Sequence, residues 1–360
     1  MPWEPALFRR WPAAGRRIPH RPFLSGPTPV EPLALQGLPR GRLFVKRDDR
    51  SCPVYGGNKP RKLEFVIGSA LARGARRLVT TGGLGTHHGL ATTILGREAG
   101  LATTLVLVDQ PVTQEVKQSL RLFAGWGAEL VYAGGVAGAA LAAARVLATA
   151  QLRGERPQLV PTGGSGAVGN LGFVSAGLEL AEQVRDGVLP EPAEIYVPVG
   201  SGGTCAGLLV GLRLAGLSSQ LVPVLVTDIL PPSPAGLARA ARATLRRLRR
   251  ADSSVPRPSF ESDDFPMVRN QLGPGYGAPT PASTEARLLA DRAGLQLEPT
   301  YTAKCLAELL ERARRGALAD GPVLFWNTFN GVDVAATAPC PPAGVTLPPR
   351  FARIVNSPAV

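Results

Sequence analysis

Short aliphatic runs alternate with longer amphipathic segments between Arg77 and Leu152, and this alternation limits the folds that are open to the chain. The runs predict strands at Arg77–Thr81, Ala102–Val108 and Glu129–Ala133, followed by helices at His88–Ala99, Thr113–Trp126 and Gly138–Leu152. A strand, a crossover helix and a second strand form the unit from which parallel sheets are built. The pattern therefore predicts an α/β unit with a parallel sheet.

A second series of elements has the same character. It predicts a helix after Pro60, strands at Leu43–Val45, Glu194–Val199, Leu221–Thr227 and Val323–Trp326, and helices at Thr284–Ala293 and Thr302–Arg315. A chain of 360 residues with 44% hydrophobic content can bury two cores. We therefore expect two parallel-sheet α/β domains, a large one from residues 1–61 and 161–360 and a small one from residues 62–160. We expect residues 1–42 and those after Pro339 to be irregular.

A net charge of +13 raises the question of a nucleic-acid or membrane partner. The densest basic stretch, Ala238 to Arg250, predicts an amphipathic helix whose leucines share one stripe and whose arginines lie mostly elsewhere. This arrangement favours a solvated basic face over a binding surface. No apolar run approaches the roughly 20 residues that cross a bilayer. The cysteines, at positions 52, 205, 305 and 340, form no closely spaced pair. We expect a cytoplasmic protein with no metal, nucleic-acid or membrane partner.

A glycine-rich turn, Gly200-Ser201-Gly202-Gly203-Thr204, lies between a predicted strand and a predicted helix. Glycines there allow consecutive N–H groups to face one point, and the helix start adds positive partial charge, so the turn suits a phosphate. The same turn can also be purely structural. The absence of a following lysine disfavours a nucleoside triphosphate site, and the absence of GxGxxG in the first strand–helix unit disfavours a dinucleotide site.

Lys59 stands in a Gly-Gly-Asn-Lys turn at the start of a predicted helix. A lysine that forms an imine must be partly desolvated and close to positive partial charge, so that its amine is available in the neutral form. The alternative is an ordinary surface lysine. Only five of the 40 basic residues are lysines, and Lys62 is a second one beside the same turn.

Three further groups carry side chains that are suited to a site. Thr86, His87 and His88 begin a predicted helix, where free N–H groups, a hydroxyl and imidazoles can bind a carboxylate; the alternative is a helix cap with solvated imidazoles. Tyr276 and Tyr301 lie in loops, where each can contact a flat cofactor or be structural. Thr328 ends the last predicted strand and can meet a ring nitrogen.

Taken together, these segments resemble the tryptophan-synthase-β-like (fold type II) enzymes that use pyridoxal 5'-phosphate (PLP), and within them the D-cysteine desulfhydrase and 1-aminocyclopropane-1-carboxylate (ACC) deaminase family. The resemblance runs from about Pro27 to Thr328. It rests on PTPVEPL (27–33), LFVKRDD (43–49), GGNKPRKLEF (56–65), PTGGSGAVGNLGF (161–173), VGSGGTCAGLLVGL (199–212), GPGYGAP (273–279) and EPTYTAK (298–304).

The resemblance implies PLP as cofactor, a small amino acid as substrate and a homodimer. It makes Lys59 the Schiff-base lysine, with Asn58 and Lys62 close to the cofactor. It places the phosphate on Gly200 to Thr204 and Thr328 near the pyridine nitrogen. It assigns Thr86, His87 and His88 to the substrate carboxylate, and Tyr276 and Tyr301 to the family's active-site tyrosines.

The chain departs from the family pattern at several positions. Thr86 replaces Ser, and His87 replaces an Asn that lies near the phenolic oxygen of the cofactor; Phe329 and Asn330 stand where Gly-Gly is usual. The resemblance also assigns Thr302 to substrate binding, and Thr302 is similar to the desulfhydrases, because the ACC deaminases carry Glu there. We expect a lyase or deaminase that releases ammonia and a 2-oxo acid. The alternatives are ACC deamination, racemisation or β-replacement on the same fold, and a non-catalytic protein that binds PLP or a partner of its basic surface.

Overall fold

The computed structural model describes residues 3–36, 38 and 41–358, and these residues form two compact units. The first unit comprises the described residues of 1–18, 24–62 and 165–331. The second comprises those of 19–23, 63–164 and 332–360. The predicted division into a cofactor-binding domain of residues 1–61 and 161–360 and a small domain of residues 62–160 stays a prediction.

The secondary structure confirms an α/β protein. The strands are β1 (Val30–Pro32), β2 (Leu43–Arg47), β3 (Arg77–Gly83), β4 (Ala102–Val108), β5 (Glu129–Gly134), β6 (Pro157–Val160), β7 (Glu194–Val199), β8 (Gln220–Leu225) and β9 (Val323–Asn327). The helices are α1 (Ala6–Arg10), α2 (Pro12–Arg17), α3 (Lys59–Ala72), α4 (His87–Glu98), α5 (Gln114–Gly125), α6 (Val136–Leu152), α7 (Leu171–Arg185), α8 (Gly203–Ala215), α9 (Pro234–Ala251), α10 (Pro281–Arg292), α11 (Thr302–Arg314) and α12 (Pro349–Asn356).

The first unit is built on a sheet with the strand order β1-β2-β9-β7-β8. The β2–β9, β9–β7 and β7–β8 pairs are parallel, and only β1 runs antiparallel to its neighbour. The core on one side includes Val45, Phe325 and Leu306, so α11 contributes to it directly. Parallel order places the carboxyl ends of β2, β7 and β9 on one edge, which is where ligands bind in open α/β sheets.

The second unit has a fully parallel sheet with the order β5-β4-β3-β6. Helix α6 packs on it through Ala139 and Ala143, against Val79 and Val106. Small side chains on α6 allow the helix to approach the aliphatic strands closely. The alternation that predicted a parallel sheet in this part of the chain is therefore confirmed.

Several local predictions were wrong. The first 42 residues contain α1, α2 and β1, and the tail after Pro339 contains α12. These elements are too short to show a periodic pattern, and they owe their stability to contacts elsewhere in the chain. Helix α10 begins at Pro281 rather than Thr284, because Thr280 and Ser283 form a reciprocal cap around that start.

The basic helix α9 is amphipathic as predicted. Leu237, Leu245 and Leu248 are buried, whereas Arg246 and Arg250 are exposed. None of the helices in the described part of the chain has the length and apolar composition that crossing a bilayer requires.

Candidate active site

The glycine-rich turn at the end of β7 forms a cradle for an anion. Gly202 has φ of +81°, a left-handed conformation that lets the chain turn directly into α8. A Cβ added to Gly203 would lie 2.4 Å from both Asn170 Oδ1 and Ser165 Oγ, so no larger residue fits there without displacement. The first N–H groups of a 13-residue helix lie at this turn, and they carry positive partial charge.

Two hydroxyls and a lysine extend this cradle. Ser165 Oγ lies 2.7 Å from Ser201 Oγ, and Lys62 Nζ donates to Ser165 Oγ at 3.1 Å. Burial and the neighbouring Lys59 hold the pKa of Lys62 well below its usual value. An anion bound at this turn would compensate the cost of charging Lys62. Hydroxyls, a lysine and a helix N-terminus together form a suitable donor set for a phosphate.

Lys59, the first residue of α3, is connected to the same turn by hydrogen bonds. Its Nζ donates to Asn58 Oδ1 at 2.7 Å, and Asn58 Nδ2 donates to Thr204 Oγ1 at 3.1 Å. Burial lowers the pKa of Lys59 from 10.5 to about 8, although the charge of Glu298 acts in the opposite direction. Near neutral pH a far larger fraction of this amine than of an ordinary lysine is therefore unprotonated and nucleophilic.

The backbone before Lys59 is fixed against the end of β9. Asn58 N–H donates to Thr328 O at 3.3 Å, and Gly57 N–H donates to Asp48 O at 2.7 Å. Gly57 has φ of +86°, and an added Cβ would lie 2.7 Å from Thr328 O. Gly56 N–H donates to Asn330 Oδ1 at 2.6 Å, so one of the departures from the family pattern supplies a hydrogen bond that holds this loop.

A buried cluster of charges holds the first turn of α3. Arg61 contacts Asp48 through Nη2 at 2.8 Å and Glu179 through Nη1 at 2.8 Å, and Lys46 Nζ lies 2.5 Å from Glu179 Oε1. Trp326 Nε1 also donates to Asp48 Oδ2 at 2.8 Å. Removing one member would leave an uncompensated charge in the interior. The cluster therefore ties β2, α3, α7 and β9 together below Lys59.

Tyr276 and Tyr301 lie together although 25 positions separate them. Their hydroxyl oxygens are 2.8 Å apart, and their rings meet edge to face at 5.8 Å between centroids. Lys59 Nζ lies 6.0 Å from the centroid of the Tyr301 ring. Burial raises the pKa of both phenols, but their mutual hydrogen bond lowers that of Tyr276 and raises that of Tyr301. Tyr276 is therefore the more acidic of the two phenols, and Tyr301 is the one that keeps its proton to higher pH.

Glu298 organises the start of α11. Its carboxylate accepts the N–H groups of Thr300, Tyr301 and Thr302 at 2.7–2.8 Å. The Thr302 hydroxyl is fully buried and also contacts Glu298, at 3.1 Å. The predicted role of Thr302 in substrate binding stays a prediction, and its hydroxyl contacts the backbone and the carboxylate of Glu298.

The predicted carboxylate-binding segment lies in the second unit. Thr86 Oγ1 caps α4 by accepting the Gly89 N–H at 3.2 Å. His88 is buried and lies 3.0 Å from Thr80 Oγ1 through Nε2, whereas His87 is exposed. Their roles toward the substrate stay predictions. Among the described residues no group of three or more His, Cys, Asp or Glu side chains could hold a metal ion.

Sequence reasoning gave no individual role to several residues that contact the predicted set. Ser165 contacts Lys62, Asn170 lies against Gly203, and Glu298 accepts the N–H of Tyr301. Asp48 and Arg61 pair with each other beside the turn that carries Lys59. Ser165 and Asn170 stand in the glycine-rich segment 161–173, and Glu298 stands in EPTYTAK. Both segments supported the family resemblance, but no role was predicted for these three residues within them.

The first unit thus offers an amine of low pKa, an anion cradle linked to it through Asn58 and Thr204, and two paired phenols. A cofactor with an aldehyde and a phosphate, as PLP has, matches this donor set: the aldehyde suits the amine and the phosphate suits the cradle.

Comparisons with known proteins agree with this chemistry. The family model described as pyridoxal-phosphate dependent enzyme matches residues 23–328. The nocardicin C-9' epimerase of Nocardia uniformis subsp. tsuyamanensis is 37% identical over 320 residues, covering 86% of this chain and 92% of the relative. The D-cysteine desulfhydrase of Klebsiella pneumoniae is 32% identical, covering 87% and 94%.

Solved structures show the same fold. A crystal structure of an ACC deaminase homologue matches with a TM-score of 0.75 and 27% identity, covering 91% of this chain and 95% of that chain. O-ureido-L-serine synthase matches with a TM-score of 0.57 and 17% identity, covering 91% of both chains, a likeness of fold alone.

Proposed function

Because this chain belongs to the family of pyridoxal-phosphate dependent enzymes, we propose that it is a lyase of a small amino acid, similar to the relatives named D-cysteine desulfhydrase. A β-leaving group such as a thiolate would depart from the substrate, and hydrolysis of the remainder would give ammonia and a 2-oxo acid. The relatives named D-cysteine desulfhydrase support the proposal at 32% and 33% identity. The observation that carries it is the link from Lys59 through Asn58 to Thr204, which joins the amine to the anion cradle.

The residues of the first unit divide the binding of PLP between them. The turn Gly200–Thr204, with Ser165 and Lys62, would hold the phosphate, and Lys59 would hold the aldehyde carbon covalently. Thr328 would face the ring nitrogen, where a neutral hydroxyl leaves that nitrogen largely unprotonated. From the family resemblance alone, we assign His87, a residue of the second unit at the position of the family's Asn, either to the phenolic oxygen or to the shape of the substrate pocket. When bound, PLP supplies a conjugated system that accepts charge from the substrate α-carbon.

Proton movement falls to Lys59 and the two tyrosines. A lysine with a pKa of about 8 can take the α-proton of the substrate as a neutral amine near physiological pH. Tyr276 is the more acidic of the two phenols and would donate a proton to a leaving group, whereas Tyr301 stays protonated because burial and its contact with Tyr276 raise its pKa. Thr86, His87 and His88 would hold the substrate carboxylate.

Epimerisation of an amino-acid centre is a second candidate. The relative that favours it is the nocardicin C-9' epimerase, at 37% identity. The same Lys59 would take the α-proton, and return of a proton to the opposite face would invert the centre without release of ammonia. The two candidates therefore share the removal of the α-proton. They differ in the next step, which is loss of a leaving group in the lyase and return of a proton in the epimerase.

One set of assays separates them. Purified protein with PLP is incubated with D- and L-cysteine, D- and L-serine and ACC in deuterated water, and ammonia, 2-oxo acid and α-deuteration are measured. Ammonia with 2-oxo acid supports the lyase, whereas inverted, deuterated substrate without ammonia supports the epimerase. Deuteration and ammonia both absent across the panel would refute both candidates for these substrates.

The covalent role of Lys59 has its own test. Borohydride reduction followed by peptide mapping should place the cofactor on Lys59, and Lys59→Ala should abolish the visible absorbance of the PLP-loaded protein. Lys117→Ala, which changes a lysine of the second unit, should retain that absorbance. An unmodified Lys59 after reduction would contradict the assignment.

We also propose a cytoplasmic homodimer. This expectation comes from the family resemblance and from the predicted free thiols. Light scattering of the purified protein should give about twice the chain mass of 37.7 kDa, and a monomer would contradict it.

A further inference from the structure

Lys304 is a fully buried lysine that the proposed chemistry leaves without a role. It lies in the first turn of α11, and its side chain has 0% exposure. Its Nζ donates to Leu272 O at 2.7 Å and to Gly275 O at 3.0 Å. Both carbonyls belong to the loop that carries Tyr276, so the ammonium of Lys304 holds that loop from one side.

The same loop is held from its other side by Asp228. Tyr276 N–H donates to Asp228 Oδ1 at 2.9 Å. Gly275 has φ of +134°, and a Cβ added there would lie 2.8 Å from Asp228 Oδ2. The backbone beside Tyr276 is therefore fixed between a buried cation and a carboxylate, with no room for a side chain at position 275.

The helix that carries Lys304 also carries the second phenol. Tyr301 is the N-cap residue of α11, three positions before Lys304, and Glu298 fixes its backbone N–H. Within one helix start, the spacing between Tyr301 and Lys304 is rigid. Lys304 thus connects the helix that carries Tyr301 to the loop that carries Tyr276, and the two phenol oxygens lie 2.8 Å apart.

We propose that Lys304 is a positioning residue that sets the Tyr276 hydroxyl against the Tyr301 hydroxyl by anchoring the 272–276 loop to helix α11. Its contribution to the reaction rests on the proposed function, in which the paired phenols handle a proton. The anchoring itself does not, because it is a property of the protein alone.

The energetic cost of burying Lys304 favours a specific role for this side chain over a role in packing alone. Burial lowers the pKa of Lys304, and the carboxylates of Asp228 and Glu298 act against that decrease. A buried ammonium costs stability unless its donors are satisfied, and an apolar side chain of similar length would avoid this cost. What the lysine adds is two directed hydrogen bonds to the backbone around Tyr276.

The test uses Lys304→Met, which keeps the length and removes the donors, and Lys304→Gln, which keeps an N–H donor. Lys117→Met is the matched control, since Lys117 is also buried and also donates to a backbone carbonyl, that of Ser357, but lies in the second unit. Amide exchange of residues 272–277 is measured by mass spectrometry on the cofactor-free proteins. Steady-state kinetics and cofactor absorbance follow on the PLP-loaded proteins.

We expect exchange in 272–277 to be at least about tenfold faster in Lys304→Met, to be partly restored in Lys304→Gln, and to be unchanged in Lys117→Met. In the loaded enzyme kcat should fall about 10- to 100-fold, with KM and cofactor absorbance nearly unchanged. Should Lys304→Met fail to fold, Lys304→Gln carries the same comparison.

Native exchange of 272–277 in a folded Lys304 variant would overturn the proposal, as would exchange that rises equally throughout the unit. Faster exchange with an unchanged kcat would overturn the link to the reaction. Failure of the wild type to turn over any substrate counts against the proposed function instead, and the exchange data would still decide the anchoring.

Discussion

The lowered pKa of Lys59 predicts the fraction of its amine that is neutral at a given pH, and this fraction can be measured directly. Burial lowers its pKa from 10.5 to about 8. At pH 7 a lysine with a pKa of 10.5 is neutral in about 0.03% of molecules, whereas one with a pKa near 8 is neutral in about 9%. The environment of Lys59 therefore predicts a reactive amine that is about 300-fold more abundant at pH 7 than that of an ordinary lysine.

Competitive labelling with acetic anhydride measures this fraction. The cofactor-free protein is labelled briefly from about pH 6 to about pH 11, and the peptide that contains Lys59 is quantified by mass spectrometry. The same peptide in the urea-unfolded protein is the control, because it reports the same lysine without its folded environment. Labelling should reach half its maximum near pH 8 in the folded protein and near 10.5 in the unfolded one.

A substitution then tests the cause. The Glu298 carboxylate raises the pKa of Lys59 against the effect of burial, so Glu298→Gln should move the midpoint below that of the wild type. The Gln side chain keeps an oxygen to accept the N–H of Tyr301. A folded-state midpoint near that of the unfolded chain, or a midpoint that rises in Glu298→Gln, would refute the electrostatic reasoning.

Two more predictions follow from the geometry. Gly203→Ala places a methyl group 2.4 Å from Asn170 Oδ1 and Ser165 Oγ, and we expect at least about tenfold weaker PLP binding in calorimetric titration. The control is Gly26→Ala, whose methyl group meets nothing within 4 Å and which should bind PLP as the wild type does. Equal affinities of the two variants for PLP would contradict the assignment of the anion cradle. Arg61→Met leaves Asp48 and Glu179 without their shared cation, and urea unfolding should show that the free energy of unfolding falls by about 3–5 kcal/mol. The control is Arg50→Met in the exposed Arg50–Glu31 pair, for which the fall should be less than about 1 kcal/mol. Burial raises the pKa of Glu179, but Arg61 and Lys46 outweigh burial and bring it from 4.5 to about 2. Its contribution to stability is therefore complete above about pH 4.5 and is lost as the pH falls toward 2. In Arg61→Met the folded-state pKa of Glu179 should rise, so this pH-dependent loss should be smaller and should end at a higher pH.

Local sequence patterns determined much of the fold. The alternation of strands and helices predicted the parallel sheets, because side chains repeat every two residues in a strand and about every 3.6 in a helix. The glycines of the turn at 200–204 predicted an anion cradle from the local sequence alone, since only glycine adopts the left-handed backbone of Gly202 without strain. The local sequence also identified Lys59 as a candidate imine-forming lysine, because it follows Gly-Gly-Asn at the start of a helix.

Pairings between distant positions depended on the tertiary structure. Periodicity describes one segment at a time, so it could not place Lys62 beside Ser165, Tyr276 beside Tyr301 or Lys304 under the Tyr276 loop. The short helices α1 and α12 escaped prediction for a related reason. Leu7 N–H donates to Ser175 Oγ, and the Phe351 ring packs edge-on against Tyr132 at 6.3 Å, so each helix depends on a distant partner. A helix of five to eight residues cannot offset the cost of its own nucleation, and packing supplies the free energy that no local pattern records.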